Sequence, residues 1–164
     1  MFINYLSLLN AVLVTDICVI LLSIFGIIKS RVLREDWYAN YNISAVIADV
    51  LIIVLVIIFS KIIYPFIFGN RENLVLFICL AVIIQIIHDF AFYYLFSVIP
   101  KGQNKMLDTF KSYARENGYK AVLSDSIMIV SSCLLYSYFS TFTLDQNVIL
   151  LIVLIYLIPY LVYN

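Results

Sequence analysis

Five apolar runs constrain this chain more than any other feature, because each is long enough to cross a bilayer. At a rise of about 1.5 Å per residue, a helix of roughly 20 residues covers the ~30 Å of hydrocarbon. The runs extend from Leu6 to Ile28, Ile43 to Ile63, Leu74 to Ile99, Ala121 to Phe139 and Val148 to Tyr163. The third is long enough to tilt. Of the 164 residues, 65% are hydrophobic and only 12% are charged, whereas a soluble domain is nearer a quarter charged. The expected fold is therefore all-α, a polytopic membrane helix bundle of about five spans forming a single integral membrane domain over residues 1–164. The N-terminal MFINYLSLLN lacks a basic region and a small-residue cleavage pattern, so it is read as part of a retained first span and not as a signal peptide.

Charge fixes an expected orientation. Lys29, Arg31, Arg34, Lys101, Lys105, Lys111, Arg115 and Lys120 fall in the first and third connections, while only Lys61 and Arg71 fall in the second. The excess places the first and third connections on the cytoplasmic side, with the N-terminus outside and the C-terminus cytoplasmic. Trp37, Tyr38 and Tyr41, just before the second span, and Tyr156, Tyr160 and Tyr163, near the chain's end, are expected in interfacial aromatic belts. Pro65 and Gly69 mark a turn between the second and third spans. The net charge of zero gives no footprint for nucleic acid. Cys18, Cys79 and Cys133 all fall in apolar runs without a CxxC pair, so they are expected to be membrane-buried packing residues. No internal repeat is evident.

The third connection holds a helical pattern of its own. Met106, Leu107, Phe110, Tyr113 and Ala114 recur at helical spacing, with Lys105, Asp108, Lys111, Arg115 and Glu116 on the other positions and Gly118 as a stop. This predicts a short amphipathic interfacial helix between spans three and four, with Lys105, Met106, Leu107, Phe110, Lys111, Tyr113 and Arg115 at the membrane surface and anionic lipid of the cytoplasmic leaflet as a partner. A linker helix packed on the ends of the bundle is the alternative. The bilayer is the main partner, and a homo-oligomer is compatible with the sequence.

Four acids lie inside the runs: Asp16, Asp49, Asp89 and Asp125, one in each of the first four spans. An Asp at the centre of a membrane helix costs about 2.5–3.5 kcal/mol on insertion scales. Gln85, His88, Asp89, Phe92 and Tyr93 follow i, i+3, i+4, i+7, i+8 spacing and share one helix face, and His88 is the chain's single histidine. Asp16, Asp49, Gln85, His88, Asp89 and Asp125 are thus expected to form a polar intramembrane cluster, with Ser23, Ser132, Tyr136, Ala45 and Ala48 as neighbours. Three uses remain open. The cluster can join helices by hydrogen bonds. It can carry protons or bind a small hard cation. It can also serve a membrane-embedded, lipid-modifying enzyme, although no G-x-S-x-G, HExxH, phosphate loop or histidine box is present. Asp125, near the start of its span, also suits a helix-start acid. No cofactor, no catalytic residue and no metal site are assigned; zinc is disfavoured by one His without a Cys cluster.

As a group, ADVLIIV (48–54), QIIHDFAFYYLF (85–96), PKGQNKMLDTFKSYAREN (100–117), KAVLSDSIMI (120–129) and YLIPYLVY (156–163) resemble small multi-pass membrane proteins of large DNA viruses of algae and protists. The resemblance covers the C-terminal two-thirds and implies a setting, host endomembrane and internal virion membrane, but no chemistry. The first expectation is therefore a viral membrane or assembly component without catalytic activity. The alternatives are a proton or small-cation channel or transporter, and a lipid-modifying enzyme.

Overall fold

The computed structural model describes residues 4–69 and 71–163; the start of the N-terminal stretch, Asn70 and Asn164 lie outside the described residues. Among these residues there are seven α-helices, one π-helix and no strand. The α-helices are α1 (Tyr5–Ile24), α2 (Ala39–Tyr41), α3 (Ile43–Phe68), α4 (Leu74–Val98), α5 (Lys105–Asn117), α6 (Tyr119–Phe139) and α7 (Leu144–Val162), and the π-helix covers Val32–Tyr38. Five of them, α1, α3, α4, α6 and α7, are long and apolar enough to cross a membrane, as expected of a multi-pass membrane protein.

Polar caps set several helix starts, which hydropathy alone misplaces. Asn4, Asn73 and Asn104 accept hydrogen bonds from the first-turn amides of α1, α4 and α5. Thr143 and Gln146 form a reciprocal capping box, so α7 starts at Leu144, ahead of the expected Val148. The second span is longer than expected: α3 continues through Pro65 to Phe68, and Gly69, at φ 64°, ends it. Pro65 is therefore part of the last turns of a helix and not a turn residue. Lys61, counted with the second connection although it falls in the last turn of the expected run, lies inside α3, which leaves Arg71 as the basic residue of that connection. The first span is shorter than expected, since Gly26 at φ 71° follows the end of α1.

The bundle is organised around α1. In its apolar stretch 61% of residues are buried, against 17% for α4. Buried Leu8, Val12, Ile17 and Ile20 of α1 join Ile129 and Cys133 of α6, Leu154 and Ile158 of α7, and Val46, Val50 and Ile57 of α3 in one core. Polar side chains join the same helices. Ser7 donates to the Phe139 carbonyl (3.1 Å), Asn10 to the Asn147 carbonyl (2.8 Å) and Oδ1 (3.1 Å), and Ser132 to the Thr15 hydroxyl (3.1 Å). Such bonds are worth about 0.6–2 kcal/mol each between membrane helices. Of the cysteines, only Cys133 packs in the core; Cys18 and Cys79 lie exposed on the outer faces of α1 and α4, so packing between helices accounts for one of the three.

The first connection is not an open loop. Its buried residues, Val32, Leu33, Trp37 and Tyr38, recur at i, i+1, i+5 and i+6, the period expected where i→i+5 bonds replace i→i+4. Trp37 and Tyr38 are buried inside the protein, which corrects their placement in an interfacial belt. Tyr156, Tyr160 and Tyr163 do lie on the outer surface.

Helix α5 closes the same end of the bundle. Its Met106, Phe110 and Tyr113 pack against the core, and the Phe110 ring lies 4.5 Å from Trp37 and 5.7 Å from Phe96. The Glu116 carboxylate accepts from the amides of Arg31 (2.7 Å) and Val32 (3.1 Å) at the start of the π-helix, where helix-end N–H groups favour an anion. Asn117 donates to Ser30 Oγ, Tyr41 OH pairs with Thr109 Oγ1, and Lys111 donates to the Ile99 carbonyl. Part of the apolar face of α5, Met106, Phe110 and Tyr113, is thus turned to the bundle, because Trp37 and Phe96 offer it a protein surface. Gly118, at φ 52° and ψ −128°, makes the turn into α6, a backbone conformation that favours glycine.

Candidate functional site

The π-helix, α3, α4, α5 and α6 surround a cavity of about 930 Å³. Its walls are mostly apolar, and five of the six residues expected to cluster line it: Asp49, Gln85, His88, Asp89 and Asp125. Asp49 and Asp125 are each the seventh residue of their helices, about 9 Å in from the end that α5 closes. This depth removes Asp125 from the first turn of α6, so it is not the helix-start acid that its sequence position suggests.

The sixth residue, Asp16, is not among the lining residues. It is fully buried in the core, one layer behind the cavity. Tyr38 connects the two: its hydroxyl lies 3.4 Å from Asp16 Oδ1 and 3.3 Å from Asp49 Oδ2. Trp37 Nε1 donates to the same Asp49 oxygen at 2.8 Å. One phenolic hydrogen cannot serve both carboxyl groups fully. Burial pushes the Tyr38 phenol well above its ordinary range, and the Asp49 and Asp16 charges add to the effect, so its proton stays in place to donate. In α5, burial likewise raises the Tyr113 phenol, with the charges of Asp125, Asp49, Glu116 and Asp89 contributing.

On α4, Asp89 Oδ1 accepts from Gln85 Nε2 at 2.5 Å and lies 3.3 Å from His88 Nδ1. Three atoms of this group, Gln85 Oε1, His88 Nε2 and Asp89 Oδ2, are buried without a hydrogen-bond partner. Aromatic rings continue from His88: Phe92 lies 4.1 Å away, Phe96 5.2 Å beyond it, and then come Phe110 and Trp37. Lys111 is the cation in the wall, and its ammonium is engaged by the Ile99 carbonyl. Among the described residues no three His, Cys, Asp or Glu side chains stand close enough together to hold a metal ion. The carboxyl groups therefore surround a space larger than an ion.

Lys111 and Tyr113, expected on a membrane-surface helix, line the cavity, as do Phe110, Thr109 and Ala114; Lys105, Met106, Leu107 and Arg115 do not. Trp37 and Tyr38 belong to the site and were legible only as aromatic residues beside a span. Ser23 is buried near the closed end, and Ser132 and Tyr136 lie within the bundle beside α1 and not at the cavity. Ala48 lines the cavity, and its small side chain helps to leave the space open. Compared with protein-family models, curated proteins and solved structures, the chain shows no significant match.

Proposed function

We propose that the protein is a non-catalytic component of a membrane, of the kind found in the virion membranes of large DNA viruses, and that its cavity holds the polar end of an amphiphilic molecule drawn from the surrounding leaflet. The observation that carries this is the cavity's composition: apolar and aromatic walls around convergent polar groups, Asp49, Asp125 and the Gln85–His88–Asp89 set, with several of their atoms unpartnered. Leu51, Leu55, Phe90, Tyr93 and Leu123 line the cavity and are also exposed on the outside of the bundle. The gaps between α3, α4 and α6 thus lead from the cavity toward lipid. The end closed by α5 is taken as cytoplasmic, because the basic connections gather there.

Filling the cavity tests this. Ala48→Trp places a large ring at a lining position. Native mass spectrometry of protein purified in mild detergent is expected to show a retained amphiphile on the wild type that is lost from Ala48→Trp while the fold persists. Equal retention by both proteins overturns the proposal.

A proton pathway is the second use, favoured by a specific feature. Buried Ser7, Asn10, Thr15 and Asp16 run along α1 from the far end of the bundle to Tyr38 and the cavity. Liposomes holding the protein are then expected to pass protons, with flux reduced in Asp16→Asn; no flux in the wild type under either polarity removes this use.

A further inference from the structure

The cavity is selective in charge as well as in shape. Resting on the proposal that it holds an amphiphile, we propose that the amphiphile carries a cationic, amine-bearing polar end. Three carboxyl groups, Asp49, Asp89 and Asp125, face the space from α3, α4 and α6, and the ammonium of Lys111 is already engaged by a backbone carbonyl. A positive group entering here meets carboxyl groups from three helices.

The hydrogen-bonding inventory points the same way. Gln85 is only 3% exposed and lines the cavity, and its Oε1 has no donor; Asp89 Oδ2 lacks one as well. Both atoms are acceptors, and His88 Nε2 can serve as one. A protonated amine brings three N–H donors to this set, and bonds of that kind to carboxylate are among the strong ones. A sulfate or phosphate end brings acceptors to acceptors and negative charge to a site built of acids. A hydroxyl end supplies one donor and no compensating charge. Trp37, Phe92 and Phe110 also line the space, and aromatic rings attract ammonium and not an anion.

The chain has a single tryptophan, and Trp37 donates to Asp49 in the wall of the cavity, so its fluorescence reports occupancy directly. Purified full-length protein in uncharged nanodiscs is titrated at pH 7 with dodecylammonium, dodecyl sulfate and dodecanol. Dodecylammonium is expected to change Trp37 emission saturably, with an affinity at least roughly tenfold above the other two. Gln85→Leu and Asp89→Asn are each expected to weaken it by about tenfold, while Asp145→Asn, exposed at the far end, leaves it unchanged. If none of the three binds saturably, the proposal of an amphiphile site fails and this inference fails with it. If dodecanol or dodecyl sulfate binds as tightly as the amine, the site stands and the cationic selectivity is overturned. Amine binding that neither Gln85→Leu nor Asp89→Asn alters also overturns it, since the amine then sits elsewhere. The three-way comparison uses the wild-type protein and holds even if a variant fails to fold.

Discussion

Tyr38→Phe removes one oxygen atom and tests how Asp16 is tolerated in the core. The hydrogen bond found for the Asp16 carboxyl among the described residues comes from Tyr38, at 3.4 Å, and Asp16 Oδ2 has no partner. The same hydroxyl lies 3.3 Å from Asp49, which keeps the 2.8 Å bond from Trp37. Leaving a buried acceptor without its donor costs about 1–3 kcal/mol. Both Tyr38 distances are long for O–H···O, and one hydrogen is shared between two acceptors, so the lower end applies. Measured couplings between membrane helices, with a maximum near 1.7 kcal/mol, point to the same end. The phenyl ring keeps the packing of this buried residue, so lost volume adds little. The expected destabilisation is about 1.5 kcal/mol, roughly a tenfold fall in the folded-to-unfolded ratio. Reversible unfolding in mixed micelles, followed by circular dichroism, measures it. In an Asp16→Leu background the acid is gone, and the cost of Tyr38→Phe is expected to fall by about half or more. A Tyr38→Phe cost that is unchanged in that background refutes the idea that the phenol satisfies Asp16.

Two further outcomes follow from the closed end of the bundle. Phe110→Ser is expected to speed amide exchange across Lys105–Asn117 by about tenfold, since a half-buried Phe contributes roughly 1–1.5 kcal/mol, whereas Leu107→Ser, which is not packed against the core, leaves it nearly unchanged; equal effects of the two place the helix in lipid instead. A cysteine at Arg115 is expected to label only from the cytoplasmic side and one at Arg71 only from the opposite side, and labelling of both from one side refutes the orientation.

The spans were legible because about 20 consecutive apolar residues have few other ways to be satisfied. The acids were legible for the complementary reason: an Asp in such a run is expensive enough to stand out. Their grouping was partly legible, since Gln85, His88 and Asp89 share a helix face whatever the neighbours are. What escaped was everything set by which face meets which. Ser7, Asn10 and Thr15 are inexpensive in a span and so drew no attention, yet they join α1 to α6 and α7 and make it the central helix. Gln85, His88 and Asp89 stand out within an apolar run, yet α4, which carries them, is the most exposed of the five spans. Trp37 and Tyr38 sit where an aromatic belt would also put them, and position beside a span cannot distinguish an inward ring from an outward one. Their five-residue spacing from Val32 and Leu33 was the available signal, and it is invisible to a search for a 3.6-residue period.

The exposure of α4 is what makes the cavity. Its buried residues, Leu80, Ala81 and Gln85, all lie in its first half, so that half packs on the bundle and the second half has no core to pack on. Past Gln85 the helix is held at its far end, where Phe96 meets Phe110 and the Ile99 carbonyl meets Lys111. A helix packed at one end and tethered at the other leaves a space along its inner face, and that face carries His88, Asp89 and Phe92. In hydrocarbon an apolar gap is filled by lipid at little cost, whereas carboxyl groups and unpartnered amide oxygens favour an occupant that brings hydrogen-bond donors. On α1, Ser7, Asn10 and Thr15 bond to neighbouring helices or to the helix itself, while Asn10 Oδ1, Asp16 Oδ2 and Ser23 Oγ are left without a partner in the core; on α4, Gln85 Oε1 and Asp89 Oδ2 are left without one in side chains that line the cavity. The neighbours decide what can reach them: α1 meets helices on several sides, while α4 meets the cavity, so it is at α4 that an occupant can bring donors.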